Sequence, residues 1–368
     1  LEADEPYQFL AHQLEMKKFL KNPKMEFRGR IHLDACNSGS QFTSAITGDL
    51  SGCIATNVIP TINKYGGQDR QDAYLLVSDK ALNLTEELIE SEKKKISKDI
   101  KNGKVENKDV YDSLKIFRSL LIEKGRKVCK TPVMVSNYGG TAGGRADIIW
   151  NQLREFGVDR KWITKSNSSR YSKIIGDSIS GVLNGGKAFE NYIQKMNNLI
   201  AKQNAPVIWN TDDGFHVVHF KNKQEKSKKV RVLLPNARRQ TVLSKTVFSD
   251  KLSVPKMKSA ISPNYVHSLD AELLRKVAYR MFEEGIVDSD WIHDSFGCHP
   301  NHVDLMLNIT KEEFREMVSR KPLEKLDSEL RSQMDNSRST KRALKEIQLP
   351  NFGEIEIEKL MDSEWFFS

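Results

Sequence analysis

Two aspartates, each at a turn beside a short apolar strand pattern, constrain the fold of this chain more than any other feature. Asp34 follows the strand-like stretch 27–33, and Asp294 lies at the turn within 290–298. Two such carboxylates can share divalent cations about 3.5–4 Å apart, which clamp the attacking and leaving oxygens of phosphoryl transfer. A chain that uses them in this way must bring together segments 260 positions apart. Taken alone, an aspartate at the end of a strand is more often a turn or cap residue. The pair therefore indicates a metal site only in combination with the other motifs described below.

Most of the remaining sequence has helical spacing of its apolar residues. The helical stretches are 2–21, 38–46, 72–95, 110–134, 146–156, 174–201, 269–284 and much of the tail from 310. The strand patterns are 27–33, a hairpin over 207–220, and 290–298. Of the 368 residues, 38% are hydrophobic and 29% charged, which excludes a collagen, a disulfide-stapled miniprotein and a wholly disordered chain. We therefore predict a helix-rich α+β fold of about two domains, or one large enzyme body.

The sequence gives no pattern for membrane insertion, secretion or disulfide pairing. No stretch approaches the roughly 18 apolar residues of a membrane span, and residues 1–7 do not resemble a signal peptide. The chain begins with Leu1, which leaves room for an upstream start. Four widely spaced cysteines without a C-x-x-C are predicted to be reduced thiols of an intracellular protein. We expect a cytoplasmic protein with no membrane partner.

The net charge of +9 is concentrated in one segment. Residues 221–245 carry +8, from nine basic residues and the single acid Glu225. The basic residues are Lys221, Lys223, Lys226, Lys228, Lys229, Arg231, Arg238, Arg239 and Lys245. A solvated basic loop is one interpretation of this run, and an element that contacts nucleic-acid phosphates is the sharper one.

A third pattern places cations on one face of a predicted helix. Arg126 and Lys130 are spaced i and i+4, and Met134 and Tyr138 continue the same row. Such a basic pair is usually a solvated helix face. Beside two carboxylates it is suited to hold the triphosphate of an incoming nucleotide, while Mg²⁺ is bound by the carboxylates and the substrate phosphates.

The order of these motifs resembles motifs A, B and C of the single-subunit DNA-dependent RNA polymerases of phages and mitochondria. The matching residues are Asp34, Arg126-x3-Lys130-x7-Tyr138-Gly139 and His293-Asp294-Ser295-Phe296-Gly297. Further similarity lies at Asp49, Asn57, 263–270 and the tail 349–368, which is similar to that family's terminal foot. The resemblance runs nearly from end to end and implies DNA-templated RNA synthesis from ribonucleoside triphosphates by a two-metal mechanism.

The resemblance also implies how the chain would carry out this chemistry. Asp34 and Asp294 would bind two Mg²⁺ ions, assisted by the carbonyl of Ala35, which replaces the glycine of the phage pattern. Arg126 and Lys130 would hold the triphosphate. Lys130 would in addition act as the acid that protonates the leaving pyrophosphate.

Selection of the sugar separates this family from the family A DNA polymerases, which share much of the pattern. Tyr138 would lie beside the nascent base pair and help select the sugar, and His267 would contact the ribose hydroxyl. The DNA enzymes carry a bulky Glu five residues after the motif A aspartate, whereas this chain has Gly39, which cannot act as a steric gate. Motif C continues with Ser295 where the DNA enzymes usually have Glu. Both features favour ribonucleotides, and a family A DNA polymerase fragment remains the alternative.

The implied architecture is a right-hand palm and fingers without a thumb of its own. Residues 1–60 would form a palm part with motif A, 61–254 the fingers with motif B, and 255–368 the palm part with motif C and the foot. The basic run falls where the family has its promoter-reading specificity hairpin. The residues expected to contact DNA are Lys223, Lys226, Lys228, Lys229, Arg231, Arg238 and Arg239.

The partners implied are a DNA template, an RNA product and ribonucleoside triphosphates. Only 33 residues precede Asp34, too few for the thumb and the first palm strands. We therefore expect a second polypeptide to supply the thumb and N-terminal parts, with this chain as the C-terminal subunit of a split phage polymerase in the host cytoplasm. The alternative is that the sequence is a fragment of a longer polymerase.

Three weaker interpretations remain open. Residues 181–188 nearly match the G-x4-G-K-[ST] loop of ATPases, but Ala188 lacks the required hydroxyl, and a helix break within the fingers is the favoured interpretation. The basic segment alone would suit a non-catalytic nucleic-acid-binding module. The His-x2-His pairs at 216–219 and 299–302 suggest a metal, but no further ligands lie at zinc-finger spacing.

Overall fold

The structure is a computed structural model that describes residues 6–102, 108–137, 139–225, 227–232 and 241–368. Its helices are α1 (Pro6–Lys21), α2 (Ser38–Thr47), α3 (Leu50–Ala55), α4 (Ala73–Lys101), α5 (Asp109–Asn137), α6 (Ala142–Glu155), α7 (Lys165–Val182), α8 (Asn184–Lys202), α9 (Val254–Glu283), α10 (Val303–Ser319), α11 (Pro322–Ser332) and α12 (Arg338–Lys345). Its strands are β1 (Ile31–Asp34), β2 (Val207–Asn210), β3 (His216–His219), β4 (Asn222–Gln224), β5 (Lys228–Val232), β6 (Thr241–Lys245), β7 (Phe248–Leu252), β8 (Ser289–Ile292) and β9 (Ser295–Cys298). The predicted helix-rich α+β class is confirmed. Within the described ranges, no helix is long and apolar enough to cross a membrane.

A small antiparallel sheet joins the two segments that carry the aspartates. Its strand order is β1-β9-β8, and Asp34 is the register partner of Ser295. β8 and β9 are connected by the two-residue turn His293-Asp294. At the other edge of β1, the Ser368 N–H donates to the carbonyl of Asp34 at 3.0 Å. Three distant parts of the sequence therefore meet around the end of β1.

One hydrophobic core lies beneath this sheet. Its buried residues come from three separated stretches, 42–59, 189–209 and 257–367. The ring of Phe42 on α2 lies 4.6 Å, centroid to centroid, from that of Phe314 on α10. This core fixes α2 beneath motif A and ties it to the C-terminal third of the chain.

A second core is built almost entirely from the helices α4 to α7. Its buried residues fall within 55–183. At its centre the Phe117 ring stacks on Tyr171, with centroids 4.1 Å apart. The Tyr171 hydroxyl donates to the carbonyl of Ser113 at 2.7 Å, so its buried polar atom is satisfied. This core positions α5, the helix of the predicted motif B.

The helix predicted over 174–201 is in fact two helices, α7 and α8, which break at Leu183. The Asp49 carboxylate accepts the N–H of Gly185 at 2.8 Å, and a Cβ at Gly185 would lie 2.2 Å from the Thr47 hydroxyl. The chain therefore breaks where it packs closely against the α2–α3 junction. The ATPase-like match at 181–188 spans this break and follows a helix rather than a strand, so it is not a phosphate-binding loop.

The helix predicted over 269–284 is longer than the pattern indicated, because α9 already begins at Val254. Pro255 occupies its first turn, where the missing N–H costs no hydrogen bond. Pro263 lies inside α9 and cannot donate to the carbonyl four residues earlier. The helix continues through this defect.

The basic segment forms a long antiparallel hairpin, which we call the basic hairpin (residues 222–252). β4 pairs with β7 near its base, and β5 pairs with β6 farther out. Lys226 and residues 233–240 lie outside the described residues. The hairpin predicted over 207–220 is also present, as the pair β2–β3.

Candidate active site

Asp34 and Asp294 lie at the same end of neighbouring strands. The Ala35 N–H donates to the carbonyl of Asp294 at 2.9 Å, which joins the residue after β1 to the turn before β9. Asp34 is exposed and Asp294 half-buried. In the described part of the chain, neither carboxylate has an ion-pair partner. The structure therefore brings together the two aspartates that the sequence separates by 260 positions.

The turn that presents Asp294 is set by its first residue. His293 has a φ of 53°, in the left-handed region, as the tight hairpin turn between β8 and β9 requires. Glycine is the usual residue there, and histidine is among the side chains that adopt this conformation more readily than most. Local backbone conformation thus places Asp294 at the tip of the hairpin, opposite the end of β1.

The two aspartates themselves suit a hard divalent cation. Their side chains offer carboxylate oxygens, the donors that Mg²⁺ prefers. Ala35 bridges Phe367, which keeps the backbone of Ala35 at the same sheet end.

The helix of the predicted motif B is kinked just before its basic residues. Lys124 has non-helical angles, and α5 resumes at Gly125, where a Cβ would lie 2.0 Å from the Ser78 hydroxyl of α4. Arg126 and Lys130 are both exposed, as their i, i+4 spacing predicts for one solvent-facing side. The opposite side of this helix, including Val128, Cys129 and Val133, is buried in the second core.

Arg126 is held by two residues at the start of α4. Its Nε lies 2.6 Å from the Asp72 carboxylate, and its guanidinium lies 5.5 Å from the centroid of the Tyr74 ring. Asp72 also caps α4 by accepting the N–H groups of Tyr74 and Leu75. One residue therefore begins α4 and orients the cation of the neighbouring helix.

Tyr74 links all three motifs. The Asn37 side-chain amide, beside motif A, donates to the Tyr74 hydroxyl at 3.4 Å. Burial raises the pKa of Tyr74, the charges of Asp72 and Asp294 add to this, and Asn37 and Arg126 oppose it. The phenol thus lies within electrostatic reach of both the motif B cation and the motif C carboxylate. Sequence reasoning missed Asp72 and Tyr74; an aspartate directly before an apolar helical run was the pattern that could have identified the cap.

The residue expected to select the sugar, Tyr138, lies outside the described residues, whereas its neighbour Gly139 is described. Gly139 has a φ of 75°, and a Cβ there would lie 2.6 Å from the Ser259 carbonyl of α9. That carbonyl is the one that Pro263 leaves without its helical donor. Motif B therefore ends in close contact with the defect in α9. Gly39, the expected replacement for a steric gate, is buried in the first turn of α2, which Asn37 caps.

His267 lies on α9 and faces the motif C turn. Its ring is perpendicular to that of His293, with centroids 5.5 Å apart. Burial and the neighbouring His293 lower the pKa of His267. One turn further along α9, the buried Asp270 has no hydrogen-bond partner among the described residues for either carboxylate oxygen. Burial and the charge of Asp294 raise the pKa of Asp270 to about 7, an effect that Ser38 partly offsets. Sequence reasoning included Asp270 in the family-like segment 263–270 but assigned it no role.

The DNA-contact residues predicted from the basic run are only partly described. Lys223, Lys229 and Arg231 are exposed on β4 and β5, and Lys228 lies on β5. Lys226, Arg238 and Arg239 lie outside the described residues. Exposed apolar side chains lie on β5, β6 and β7 of the same hairpin; they are Val230, Val242, Leu243 and Phe248.

The His-x2-His pairs do not form metal sites in the described part of the chain. His219 is buried, its Nε2 donates to the Met257 carbonyl at 3.1 Å, and its Nδ1 accepts from Asn264 at 2.7 Å. The rings of His299 and His302 are 6.0 Å apart with no third ligand nearby.

Comparisons with known proteins show which family this chain is similar to. The family model described as DNA-dependent RNA polymerase matches residues 1–347. The mitochondrial DNA-directed RNA polymerase 1 of Arabidopsis thaliana is 25% identical over 372 aligned positions, which cover 100% of this chain and 34% of that protein. The chloroplastic/mitochondrial DNA-directed RNA polymerase 2 of the same plant is 26% identical over 374 positions, covering 100% of this chain and 33% of that protein. The chain thus spans about a third of the length of the curated relatives that it matches.

Proposed function

The chain belongs to the DNA-dependent RNA polymerase family, and from this membership we propose that it carries the catalytic centre for DNA-templated addition of ribonucleotides to RNA. The observation that carries the proposal is the meeting of Asp34 and Asp294, which the sequence separates by 260 positions, at one end of β1 and β9. A free-standing nucleic-acid-binding module has no need for two neighbouring carboxylates without counter-charges. The family match and this juxtaposition support the enzyme over that alternative.

Asp34 and Asp294, with the carbonyl of Ala35, are the groups that would hold two Mg²⁺ ions. Bound there, the ions would activate the attacking oxygen and stabilise the leaving pyrophosphate. Arg126 and Lys130 hold the triphosphate from the exposed side of α5, and Lys130 donates a proton to the leaving pyrophosphate. Asp72 and Tyr74 keep the Arg126 guanidinium oriented before the nucleotide arrives, so less conformational entropy is lost on binding.

Ribose selection rests on three positions in this proposal. Gly39 provides no side chain that would exclude a 2′-hydroxyl, Tyr138 reads the sugar beside the nascent pair, and His267 contacts the ribose hydroxyl. A DNA polymerase activity would require a gate that this chain does not carry at position 39. The discriminating measurement is the ratio of catalytic efficiencies for paired ribo- and deoxyribonucleoside triphosphates.

We further propose a palm formed from 1–60 and 255–368, with fingers formed by 61–254. The basic hairpin would contact the DNA template. The comparisons give no support for the expected second polypeptide. Each of these relatives is a single chain, and this sequence matches about a third of it. Those relatives are named as mitochondrial or chloroplastic, so the cytoplasmic location stays a prediction.

The test uses Asp34→Asn and Asp294→Asn in the full protein that contains this chain, on a preassembled template–RNA hybrid. Each substitution removes a metal-binding charge at constant size, so we expect loss of nucleotide addition with template affinity nearly unchanged. Asp304→Asn, in the first turn of α10, is the matched control and should retain activity. Extension at near-normal rate by either site variant would refute the assignment.

A further inference from the structure

A second cluster of metal-binding side chains lies beside the two aspartates and has a different donor set. One ligand atom each of His267, Asp270 and His293 lies within 4.8 Å of the other two. His267 and Asp270 are three residues apart on α9, so their side chains share one side of that helix. His293 comes from the β8–β9 turn. The cluster therefore joins two elements whose relative position the first core fixes.

Asp270 is the residue that calls for an explanation. It is 6% exposed, and neither of its carboxylate oxygens has a hydrogen-bond partner within 3.5 Å in the described ranges. The nearby Ser38 hydroxyl offsets only part of the rise that burial causes in the pKa of Asp270. A buried polar group without a partner costs free energy, and a buried charge costs more unless it is paired or binds a metal. Nearly all such groups in native proteins are satisfied. A cation held between Asp270 and the two imidazoles would satisfy it.

The donors determine which cation fits. Mg²⁺ takes oxygen ligands in near-ideal octahedral geometry, and two imidazole nitrogens do not meet that demand. Imidazole and carboxylate together suit Zn²⁺ and its neighbours in the first transition row. Burial and the adjacent ring lower the pKa of His267, which favours the neutral form that binds metal.

The distances are close to those of a bound ion. Ligand atoms on a shared tetrahedral zinc lie about 3.3 Å apart, given bond lengths of about 2.0–2.1 Å. The ligand atoms of the three residues lie within 4.8 Å of one another, so a bound ion would require them to approach by up to about 1.5 Å.

We propose that His267, Asp270 and His293 form a binding site for a zinc-class divalent cation, separate in donor chemistry from the Asp34–Asp294 pair. Three protein ligands leave a fourth position open to water or to a ligand. A cation there withdraws His267 from the ribose hydroxyl, so zinc inhibits nucleotide addition even when Mg²⁺ is saturating. This consequence rests on the proposed function, whereas the binding site itself does not.

The experiment measures binding without catalysis. Zn²⁺ is titrated into the metal-free full protein in competition with a chromophoric chelator, and Co²⁺ is added in a parallel titration to record the visible absorption of a tetrahedral N/O site. Asp270→Asn keeps the size of the side chain and removes its charge, so we expect Zn²⁺ affinity to fall at least tenfold. Asp34→Asn and His302→Gln are the controls for the magnesium pair and for adventitious histidine binding, and both should bind Zn²⁺ as the wild type does.

Two results would overturn the proposal. Equal Zn²⁺ affinity in the wild type and Asp270→Asn would remove the carboxylate from the site, and loss of binding in Asp34→Asn instead would place zinc on the aspartate pair. If the titration shows this site, Zn²⁺ should also inhibit extension of a primed hybrid. Asp270→Asn should then raise the Zn²⁺ concentration needed for half-maximal inhibition by the same factor as it lowers the Zn²⁺ affinity. Zinc binding without any polymerase activity would contradict the proposed function and leave the metal site standing.

Discussion

His219 shows how the environment of one buried residue controls the pH dependence of stability. Burial lowers its pKa, and the nearby charge of Lys221 acts in the same direction, against the hydrogen bond to the Met257 carbonyl. As the pH falls through about 6.5, the unfolded chain takes up this proton before the folded chain does. The stability contributed by the neutral ring is therefore present above that pH and lost below it, by up to about 1.4 kcal/mol per pH unit.

We predict that in His219→Gln the free energy of unfolding falls less steeply as the pH is lowered below about 6.5. Urea unfolding at pH 8, 6.5 and 5 measures the slope. The control is His216→Gln, on the same strand but exposed, which should keep the wild-type slope. An unchanged slope in His219→Gln would assign the acid sensitivity to other groups.

A second prediction at this scale concerns the ring beneath Arg126. Tyr74→Leu removes a cation–π contact, worth roughly 0.5–1 kcal/mol at an exposed site, and should raise the KM for nucleoside triphosphates about two- to fivefold with little change in kcat. Tyr74→Phe keeps the ring and should remain near the wild-type KM. Tyr111→Leu, which removes the ring near Lys115 on α5, controls for loss of a cation–π contact elsewhere. Equal KM values for Tyr74→Leu and Tyr74→Phe would contradict the orienting role.

The role of a single residue could be predicted where its neighbours in the sequence indicate it. The turn aspartates and the i, i+4 cations could be found from neighbouring residues alone. Asp270 could not, because it lies in a helix pattern and its significance comes from burial beside two histidines on different elements. Tyr74 is similar, because the residues that act on its pKa lie far apart in the sequence. They are Asn37, which caps α2, Arg126 on α5 and Asp294 in the β8–β9 turn.

At the scale of elements, the close approach of α4 and α5 depends on a missing side chain. A Cβ at Gly125 would lie 2.0 Å from the Ser78 hydroxyl and 3.2 Å from the Ser78 Cβ. Gly125→Ala should cost about 1–3 kcal/mol of unfolding free energy, the usual penalty of overpacking. Combining it with Ser78→Ala removes the hydroxyl and should recover most of the loss.

Chemical denaturation of the single and double variants checks this coupling. Gly143→Ala in α6 is the control, because its nearest atom would be 3.8 Å away and alanine favours a helix. Additive effects of Gly125→Ala and Ser78→Ala would show that the two residues do not interact.

The break between α7 and α8 falls within 181–188, where a helix break was expected, although the apolar spacing alone does not show it. The pattern 174–201 is continuous in apolar spacing, yet the chain breaks at Leu183 because Gly185 packs against Thr47 and Asp49. The opposite happens in α9, where the interior Pro263 does not end the helix. At Leu183 a tertiary contact accompanies the break, and at Pro263 the local propensity of proline does not end the helix.

At the scale of the whole molecule, the linear order does not show which core an amphipathic helix joins. The predicted fingers, 61–254, include α8, yet the apolar side of α8 packs in the first core with α9. Its buried residues include Phe189, Ile193 and Met196. The spacing gives the apolar side of a helix but not the surface that covers it. The division into palm and fingers accordingly stays a proposal.

The distribution of charge over the molecule leads to the last prediction. The segment 221–245 holds +8 of a net +9, and the strands of the basic hairpin hold its described cations away from the two cores. If these cations contact DNA phosphates, each contact adds about 0.9 to the slope of log affinity against log salt. Replacing Lys223, Lys229 and Arg231 by Gln should therefore flatten the slope by up to about 3 and leave extension of a preassembled hybrid intact.

Fluorescence-anisotropy titrations of duplex DNA at several salt concentrations measure this slope. The control replaces Lys93, Lys94 and Lys98 by Gln. These exposed residues lie on helix α4, outside the basic hairpin, and their replacement removes the same amount of charge. Because net charge changes equally in both triple variants, only direct phosphate contacts predict a flatter slope for the hairpin triple alone. Equal slopes in both variants would show that the hairpin acts through net charge, and a wild-type slope in the hairpin triple would make it a solvated surface element.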